Sequence, residues 1–444
     1  MTKEEIKKWI RENNISDIIF QFTDIAGNPK GPEVSSSKFE SIIADGGATV
    51  DASSIEGLAR EEEGDDMFAK PDKTSFYLLP WRKNNIGNVG CCICDIHIPN
   101  GSPFDGDPRY VLKKTLKKAK DIGYQYIVAP EYEFFLFLAD EKGQAVFKDG
   151  RPIPIDTNGY FDIDGAGTEC LRTIIYTLKK MGINADKAHH EVAPGQYEIG
   201  IPHGPALDIA DQIMMIKITT KAIAKKFGFY ASDMPKPLED DNGSGMHFHQ
   251  NLIDKNGNNI FFNDKEPSAL SEKALYFLAG QLEHIDEILP ILASHVNSYK
   301  RLVPNFEAPV YKTWANSNRS SLIRVPSFKP KSARIELRCA DPECNPYLVF
   351  SALLEAGLRG IKEKILPPKS IEKNLFKMSQ EERSELSIMS LSQSLEKALE
   401  YYKTSKLVKN TLGKHAFKMF LNLKEKECNF SNTSVNSIDF KMSF

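Results

Sequence analysis

Polar residues two apart, set inside otherwise apolar runs, recur along this chain. Glu131 and Glu133 stand in Pro-Glu-Tyr-Glu-Phe-Phe-Leu-Phe, and His247 and His249 in Asn-Gly-Ser-Gly-Met-His-Phe-His-Gln-Asn. Arg334, Glu336 and Arg338 stand in Ala-Arg-Ile-Glu-Leu-Arg-Cys. On an extended strand this spacing points both members of a pair to one face and the apolar neighbours to the other. The pattern therefore predicts a sheet whose concave face is a polar site, with the rest of the chain arranged to bring these strands together. Gly243 and Gly245, within the same short stretch as the histidines, let the backbone run close to something bulky or charged.

At 444 residues the chain is too long for one ordinary core, so two or more domains are expected. A composition of 41% hydrophobic and 26% charged residues is that of a globular protein in water. The net charge of −3 argues against nucleic acid or an anionic membrane as the main partner. No apolar run approaches the roughly 18 residues of a membrane span. The N-terminus, Met-Thr-Lys-Glu-Glu-Ile-Lys-Lys, carries charge where a signal peptide needs apolar residues, which points to a cytoplasmic protein. Cys91, Cys92 and Cys94 crowd together with His97 nearby, but their spacing matches no common zinc knuckle, and they read as buried strand thiols.

Residues 1–104 read as a small α+β domain: helices at 3–14 and 36–44, strands at 17–24, 75–79 and 88–98, and a polar loop at 49–57. The run Pro-Asn-Gly-Ser-Pro-Phe-Asp-Gly-Asp-Pro closes it. A second domain, 105–444, opens with a helix at 108–122, capped by Asp107 with Pro108 in its first turn. Further helices are expected at 168–181, 207–227, 268–295 and 347–365. The intervening strands alternate polar and apolar without an even βαβ rhythm, which favours an antiparallel or mixed sheet with helices outside. Residues 366–410 read as charged, helical and peripheral, and the tail after Cys428 as polar and poorly ordered.

Glu131, Glu133, Glu191, Glu198, His247 and Glu336 are acids and an imidazole in apolar settings. Gathered on one face they would repel unless positive charge sat among them. Divalent cations that prefer oxygen ligands, with imidazole tolerated best by manganese, would supply it. Arginines then come densely: Arg301, Arg319, Arg324, Arg334 and Arg338. Guanidinium forks match phosphate and carboxylate, so metals plus arginines describe a site for phosphoryl transfer from a nucleotide. Each piece alone also has a structural reading: Arg334/Glu336/Arg338 as an ion-pair ladder, His189-His190 as a surface patch. No P-loop or dinucleotide fingerprint is present.

The order of motifs resembles type I glutamine synthetase in its shorter bacterial and archaeal form, from about residue 15 to 425. The motifs are Asp51-Ala-Ser-Ser-Ile-Glu-Gly57, Pro130-Glu-Tyr-Glu133, Gly159-Tyr-Phe161, His190-Glu-Val-Ala-Pro-Gly-Gln-Tyr-Glu198 and Met234-Pro-Lys-Pro237, then Asn242-Gly-Ser-Gly-Met-His247, Lys300-Arg-Leu-Val-Pro304, Asn318-Arg-Ser320, Ile323-Arg-Val-Pro326 and Arg334-Ile-Glu-Leu-Arg338. The resemblance implies an α+β fold: a small β-grasp domain, then a catalytic domain whose antiparallel or mixed sheet forms an open barrel with helices outside. It implies ATP-dependent joining of ammonia to the γ-carboxylate of L-glutamate through γ-glutamyl phosphate, with two or more Mg2+ or Mn2+ ions per site. One ion would be held by Glu133, Glu191 and Glu198, the other by Glu131, His247 and Glu336. Arg319 would stabilise the phosphoryl group in flight, and His249, Asn251, Arg324, Lys331 and Arg334 would contact the nucleotide. Glutamate would be gripped by Asn242, Gly243, Arg301 and Arg338. Asp51, Ser54, Tyr160, Glu191 and Glu307 would form the ammonium pocket, with Glu307 on a flap that keeps water off the acyl phosphate. Arg60 aligns with a residue that senses glutamine in feedback-inhibited relatives. In the family Asp51 comes from a neighbouring subunit, which implies a homo-oligomer, a dodecamer of two hexameric rings.

Departures from the family pattern fall beside these residues. Ala52 replaces a usual glycine, Tyr197 a usual histidine, Asn251 a common serine and Asn305 the flap's glycine, while Asp240-Asp241 precede Asn242 where small or apolar residues are usual. Gly200-Ile-Pro-His203 is also unlike the family's continuation, and with Ala52 it leaves room for a γ-glutamyl ligase acting on an organic amine such as a polyamine or ethanolamine, whereas Asp51, Ser54, Tyr160 and Glu307 favour ammonia. A nitrogen-sensing paralogue that binds a transcription factor is a third reading, against which the intact set of acids argues.

Overall fold

The computed structural model describes residues 1–59, 66–83, 85–185, 187–263, 270–326 and 332–434. The chain begins with α1 (Lys3–Glu12), β1 (Ile15–Thr23), the short strands β2 (Pro29–Lys30) and β3 (Glu33–Ser35), α2 (Phe39–Ala44), β4 (Ala48–Asp51), β5 (Asp66–Leu79) and β6 (Asn88–His97). These strands form one sheet in the order β2-β1-β6-β5-β4, with β3 also on β1. Its central pair, β1 and β6, is parallel, the arrangement of a β-grasp. Successive residues of β6 face opposite ways. Cys92, Cys94 and Ile96 join the core packed under α1 and α2, while Cys91 and Ile93 join the larger core on the other side. The cysteines are buried thiols with no disulfide partner.

The remainder runs α3 (Pro108–Asp121), β7 (Tyr124–Leu138), β8 (Phe147–Lys148), β9 (Arg151–Pro152), α4 (Thr168–Lys180), β10 (Lys187–His190), β11 (Gln196–Gly200), β12 (Gly204–Pro205), α5 (Ala206–Lys226), β13 (Phe229–Ser232) and β14 (Met246–Asp254). It continues through α6 (Glu272–Glu283), α7 (Ile285–Leu292), α8 (Ser298–Arg301), β15 (Trp314–Asn316), β16 (Ile323–Val325), β17 (Ile335–Leu337), α9 (Pro346–Glu363), α10 (Gln380–Glu385), α11 (Leu395–Thr404) and α12 (Lys406–Thr433). Nine of the strands curl into a sheet of order β10-β11-β7-β14-β17-β16-β15, with β12 and β13 also on β7. Strand β7, fifteen residues rich in aromatic and β-branched side chains, is its spine. It is antiparallel to β14 along residues 124–132 and to β11 along 131–135. Helices α3, α4, α5 and α9 cover the outer face. The oxygen of Asp107 caps α3 by accepting from the Arg109 amide at 3.0 Å. Helices α6 and α9 pack at close range because Gly280 and Gly360 face each other. A Cβ at Gly360 would lie 2.0 Å from the Tyr276 carbonyl oxygen.

Four expectations are corrected. The segment read as one helix over 268–295 is two: the turn breaks at His284, whose ring bonds the Glu287 carboxylate at 2.8 Å and starts α7 on a new axis. Apolar periodicity runs through the break because both halves bury one face, so it carries no signal of the bend. The strand expected at 75–79 begins already at Asp66, and its irregular middle hides the extension. Residues 366–374 are irregular, and α11 is not peripheral: Leu395, Ala398, Leu399 and Tyr402 are buried in the main core. The polar segment after Cys428 continues as helix to Thr433, and the rest of that tail, 435–444, lies outside the described residues. Among the described residues no helix is long and apolar enough to cross a membrane.

A buried cation ties the small sheet to the helices that cover the larger one. Arg109 is 1% exposed and donates from Nε to Asp211 Oδ1 at 2.9 Å and from Nη2 to Asp211 Oδ2 at 2.8 Å. It also donates from Nη1 to Asp95 of β6 at 2.6 Å and lies 2.9 Å from Asp72 of β5. Tyr347 of α9 and Ser75 of β5 complete the shell by donating to Asp211, each at 2.8 Å. Removing one partner would strand buried charge on the others. Arg109→Met is expected to cost about 3–5 kcal/mol in urea denaturation; a loss under about 1 kcal/mol would show that the network does not hold the small sheet to those helices.

Candidate active site

In an antiparallel pair, directly opposed side chains share a face. Register therefore builds the site. His189 of β10 opposes Glu198 of β11, which opposes Glu133 of β7. One step along, Glu131 opposes His247 of β14. Then His249 opposes Glu336 of β17, and Glu336 opposes Arg324 of β16. Five strands thus place three histidines and four glutamates on one concave face, and Glu191, just past the end of β10, adds a fifth acid.

The contacts are close. The two oxygens of Glu131 bridge the histidines, at 3.1 Å from His247 Nδ1 and 3.1 Å from His249 Nε2. His247 Nδ1 also lies 3.9 Å from Glu133 and 3.8 Å from Glu336. Glu336 is fully buried between Arg338, which donates to it at 2.6 Å, and Arg324, which bonds its other oxygen. Glu133 accepts from the Gly245 amide at 2.7 Å and from Gln196 at 3.2 Å. A Cβ at Gly245 would lie 2.4 Å from the Arg301 guanidinium, so this glycine permits the close approach anticipated for the stretch. Arg301 is itself fixed by donating to the carbonyls of Arg338, Cys339 and Ala340 at 3.1–3.2 Å.

Glu131, Glu133, Glu191, Glu198, the three histidines, Arg301, Arg324 and Arg338 line a cavity of about 330 Å³ together with Tyr160, Asn242, Gly243, Phe306, Glu307, Arg319 and Arg334, while Glu336 lies fully buried behind its wall. An adjoining cavity of about 390 Å³ shares His249 and Arg334 and is walled by Ile127, Val128, Ile201 and Asn251. At the rim, Asn318 pins the loop before Arg319 by donating to the Ile371 and Lys373 carbonyls at 2.9 and 2.8 Å.

The electrostatics ask for cations. Burial pushes Glu133 well up, and the charges of Glu191 and Glu198 push it further. Burial, with Glu131 and Glu191, raises Glu198 to about 8. Burial opposes ionisation of Glu131 too, but hydrogen bonds from His247 and His249 outweigh it and hold that carboxyl below its ordinary range. His247 is lowered to about 4 by burial and then by the Arg338 charge. Among the described residues, two triads have ligand atoms mutually within 4.8 Å: Glu131, His249 and Glu336, and His189, Glu191 and Glu198. His189 bonds Glu191 through Nε2 at 3.0 Å, which leaves Nδ1 buried, unpartnered and 3.9 Å from Glu198. An orphaned imidazole lone pair among carboxylates fits a divalent ion of the Mg2+ or Mn2+ kind. The Nε donors of Arg324 and Arg338 are likewise buried without acceptors, as sites awaiting an anion would be.

Family models agree with this geometry. "Glutamine synthetase, catalytic domain" matches residues 105–443, and "Glutamine synthetase, beta-Grasp domain" matches residues 14–99. A glutamine synthetase of Methanosarcina mazei is 44% identical over 429 residues, 96% of this chain and 94% of its own length. The chain belongs to the glutamine synthetase family. A glutamine synthetase of Clostridium saccharobutylicum is 43% identical over 437 residues, 98% of this chain and 97% of its own. Among solved structures, a GmaS/ADP complex matches with a TM-score of 0.87 at 27% identity over 98% of both chains, and GmaS without ligand with 0.85 at 28% over 97% of both. Family membership makes this chain a ligase that works with ATP and Mg2+ or Mn2+.

Some residues assigned from the family resemblance lie elsewhere. Asp51 and Ser54 are exposed on the small sheet and do not line the cavity; the Asp51 carboxylate accepts from the Ser53 hydroxyl and amide at 2.6 and 3.0 Å. Arg60 and Lys331 fall outside the described residues. The adjacent pair His189-His190 reads from sequence as a surface patch, yet the His189 side chain is 7% exposed. The signal was present: His189 and Glu191 stand two apart, like the other pairs. Gln196, which holds Glu133 and stands two before Glu198, carries the same mark.

Protons and cations compete for this face. The folded value of Glu198, about 8, lies above its unfolded 4.5. Its contribution to stability is complete below the unfolded value and is lost as pH rises through the folded one. His247 is depressed and acts oppositely, but only below its ordinary 6.5. Between about pH 7 and 9 the Glu198 effect stands alone of the two, so chelator-treated protein is expected to melt higher at pH 7 than at pH 9. Saturating Mn2+ should flatten the difference. Equal melting temperatures at both pH values in chelator would contradict this electrostatic picture.

Proposed function

We propose that this protein joins ammonia to the γ-carboxylate of L-glutamate at the expense of ATP, through γ-glutamyl phosphate, giving L-glutamine, ADP and phosphate. The observation that carries the proposal is the convergence of Glu131, Glu133, Glu198, His247 and Glu336 with Arg324 and Arg338 on one face beside an apolar-walled second cavity. In this reading Arg301, Arg338, Asn242 and the Gly243 backbone orient glutamate, with the unpartnered Nε of Arg338 directed at its carboxylate. His249, Asn251, Arg324, Lys331 and Arg334 hold the nucleotide, whose base takes the apolar wall. Divalent cations, when bound by Glu131, Glu133, Glu191, Glu198, His247 and Glu336, with His189 and His249 added, would neutralise these side chains and draw charge from the transferred phosphoryl group. Arg319 stabilises that group from the rim, where its pinned loop holds it.

Tyr160, Glu191 and Glu307 line the cavity on the side left for the nucleophile. Carboxylates there attract ammonium, and a base removes its proton to leave neutral ammonia. As the family resemblance implies, we assign that base to Asp51 of a neighbouring copy, with Ser54 beside it; in one chain both are exposed and neither lines the cavity. The assembly we propose for it is the one the family resemblance implies, a dodecamer of two hexameric rings. Arg60 remains proposed as a glutamine sensor, and the division of the chain is placed at 104/105. The second reading, an organic amine as nucleophile, draws on the departures from the family pattern at Ala52 and at 199–203; the GmaS structures share the fold at lower identity. The higher identity to glutamine synthetases, 44% against 27%, favours ammonia.

Glutamate-dependent phosphate release from ATP decides between them. Ammonium is expected to support turnover at least about tenfold better than methylamine, ethanolamine or putrescine, a gap of about 1.4 kcal/mol in the barrier. Inert ammonium with a reactive amine would overturn the main reading. Separately, Asp51→Ala and Glu336→Ala variants, each inactive alone, should regain activity when unfolded together and reassembled. Mixed rings would then contain sites intact in both residues, and no recovery would remove the shared site.

A further inference from the structure

The motif Met234-Pro-Lys-Pro237 has no part in the chemistry above, yet it stands between two loops of the cavity. Its Lys236 is 7% exposed, and its ammonium lies 3.4 Å from the centroid of the Phe306 ring. The same ammonium donates to the carbonyl of Asp241, the residue before Asn242. No carboxylate pairs with it among the described residues; Asp240 and Asp241 act on it at longer range. The segment is held from behind, since the Lys236 amide donates to Asn297 Oδ1 at 2.7 Å and Asn297 Nδ2 donates back to the Lys236 carbonyl at 3.1 Å. It also presses on the loop proposed to grip glutamate. Ser244 donates to the Pro235 carbonyl at 2.8 Å, and a Cβ at Gly243 would lie 2.1 Å from that oxygen.

Phe306 belongs to the flap. Its neighbours Asn305 and Glu307 have φ of 73° and 55°, left-handed values that cost energy for side chains other than glycine. A flap bent this way needs ties. Arg338 supplies one, donating to the Glu307 carbonyl at 3.3 Å. The Lys236 ammonium on the ring face supplies another.

We propose that Lys236 is a positioning residue that couples the glutamate loop to the Glu307 flap. It rests on the function proposed above and adds the link between two of its parts. The Asp241 carbonyl fixes where the ammonium sits, the ammonium fixes the Phe306 ring, and the ring holds Glu307 over the cavity. With the link cut, the flap samples open positions and water reaches the acyl phosphate. Water then attacks the acyl carbon in place of the amine, the acyl–oxygen bond breaks, and glutamate and phosphate return to solution.

The test compares Lys236→Met, which keeps the stem without charge, with Lys236→Arg, which keeps a cation over the ring, in the full-chain protein. The first readout is the ratio of phosphate released from glutamate and ATP without amine to that released with ammonium. Lys236→Met is expected to raise it about tenfold, the scale of a desolvated cation–π contact, and Lys236→Arg to restore most of the difference. The second is deuterium uptake by a peptide spanning 303–308 without ligands, expected to rise in Lys236→Met alone. This second readout stands even if ammonium is not the nucleophile, so failure of the function and failure of the link are distinguishable. An unchanged ratio and unchanged uptake in Lys236→Met, or equal effects of Met and Arg, would overturn the proposal. Should Lys236→Met fail to fold, Phe306→Leu removes the same contact from the other side with the same expected changes.

Discussion

Several carboxylates within reach of one another on a dry concave face cannot all be charged unless cations stand among them. Two like charges about 4 Å apart cost about 4 kcal/mol even at an effective dielectric of about 20. The fold supplies only part of the answer. Arg324 and Arg338 satisfy Glu336, and two histidines share Glu131. Glu133 is left with two amide donors, and burial with the charges of Glu191 and Glu198 pushes it toward the protonated state; burial with the charges of Glu131 and Glu191 does the same to Glu198. The unmet demand falls where the unpartnered His189 nitrogen lies, so the divalent-ion requirement of the family is visible as an electrostatic deficit in this chain.

What brings the acids together is register. A slip of one residue between β7 and β14 would turn His247 and His249 to the outer face and bring Met246 and Phe248 into the cavity. The outer face of β7 resists such a slip, because Tyr132, Phe134 and Leu136 are buried against the helices. Tyr132 also donates to Asp233, which pairs with Lys221 of α5 at 2.6 Å. The packing of one face thus sets the chemistry of the other. The Arg109 network extends the same logic outward: it fixes the small sheet, and so the exposed Asp51 loop at its edge, against the helices that cover the sheet carrying the acids.

Much of this was legible in the sequence because it is written in a period of two. Glu131/Glu133, His247/His249 and Glu336/Arg338 needed only an extended backbone to share a face, and Asp107-Pro108 marked its helix by capping chemistry alone. What was not legible depended on contacts distant in the chain. The bend at His284 follows from Glu287 being drawn to the His284 ring and to Ser405, 118 residues on. The burial of α11 follows from Tyr402 stacking on Phe417 with centroids 4.7 Å apart. His189 carried its signal, but adjacency to a second histidine obscured it: His190 points the other way, bonding Asp156 at 3.0 Å.

The departures from the family pattern share a physical character. Tyr197 reaches Asp156 at 2.6 Å, the carboxylate that also holds His190 and the Gly195 amide, and Gly167 leaves room for its hydroxyl. Asn305 stands at φ 73°, a conformation asparagine tolerates better than most side chains. Asp240 pairs with Arg151 at 2.9 Å, and the Asp241 carbonyl receives Lys236. Ala52 is fully buried in the small core. Each of these substitutions thus fits a local partner or space of its own, and the opposed pairs of the sheet keep their residue types. That division is what a site bound by electrostatic necessity would leave free to vary: the supports can be exchanged for others of equal reach, whereas an acid exchanged in a row would alter the charge that every neighbour in it has to meet.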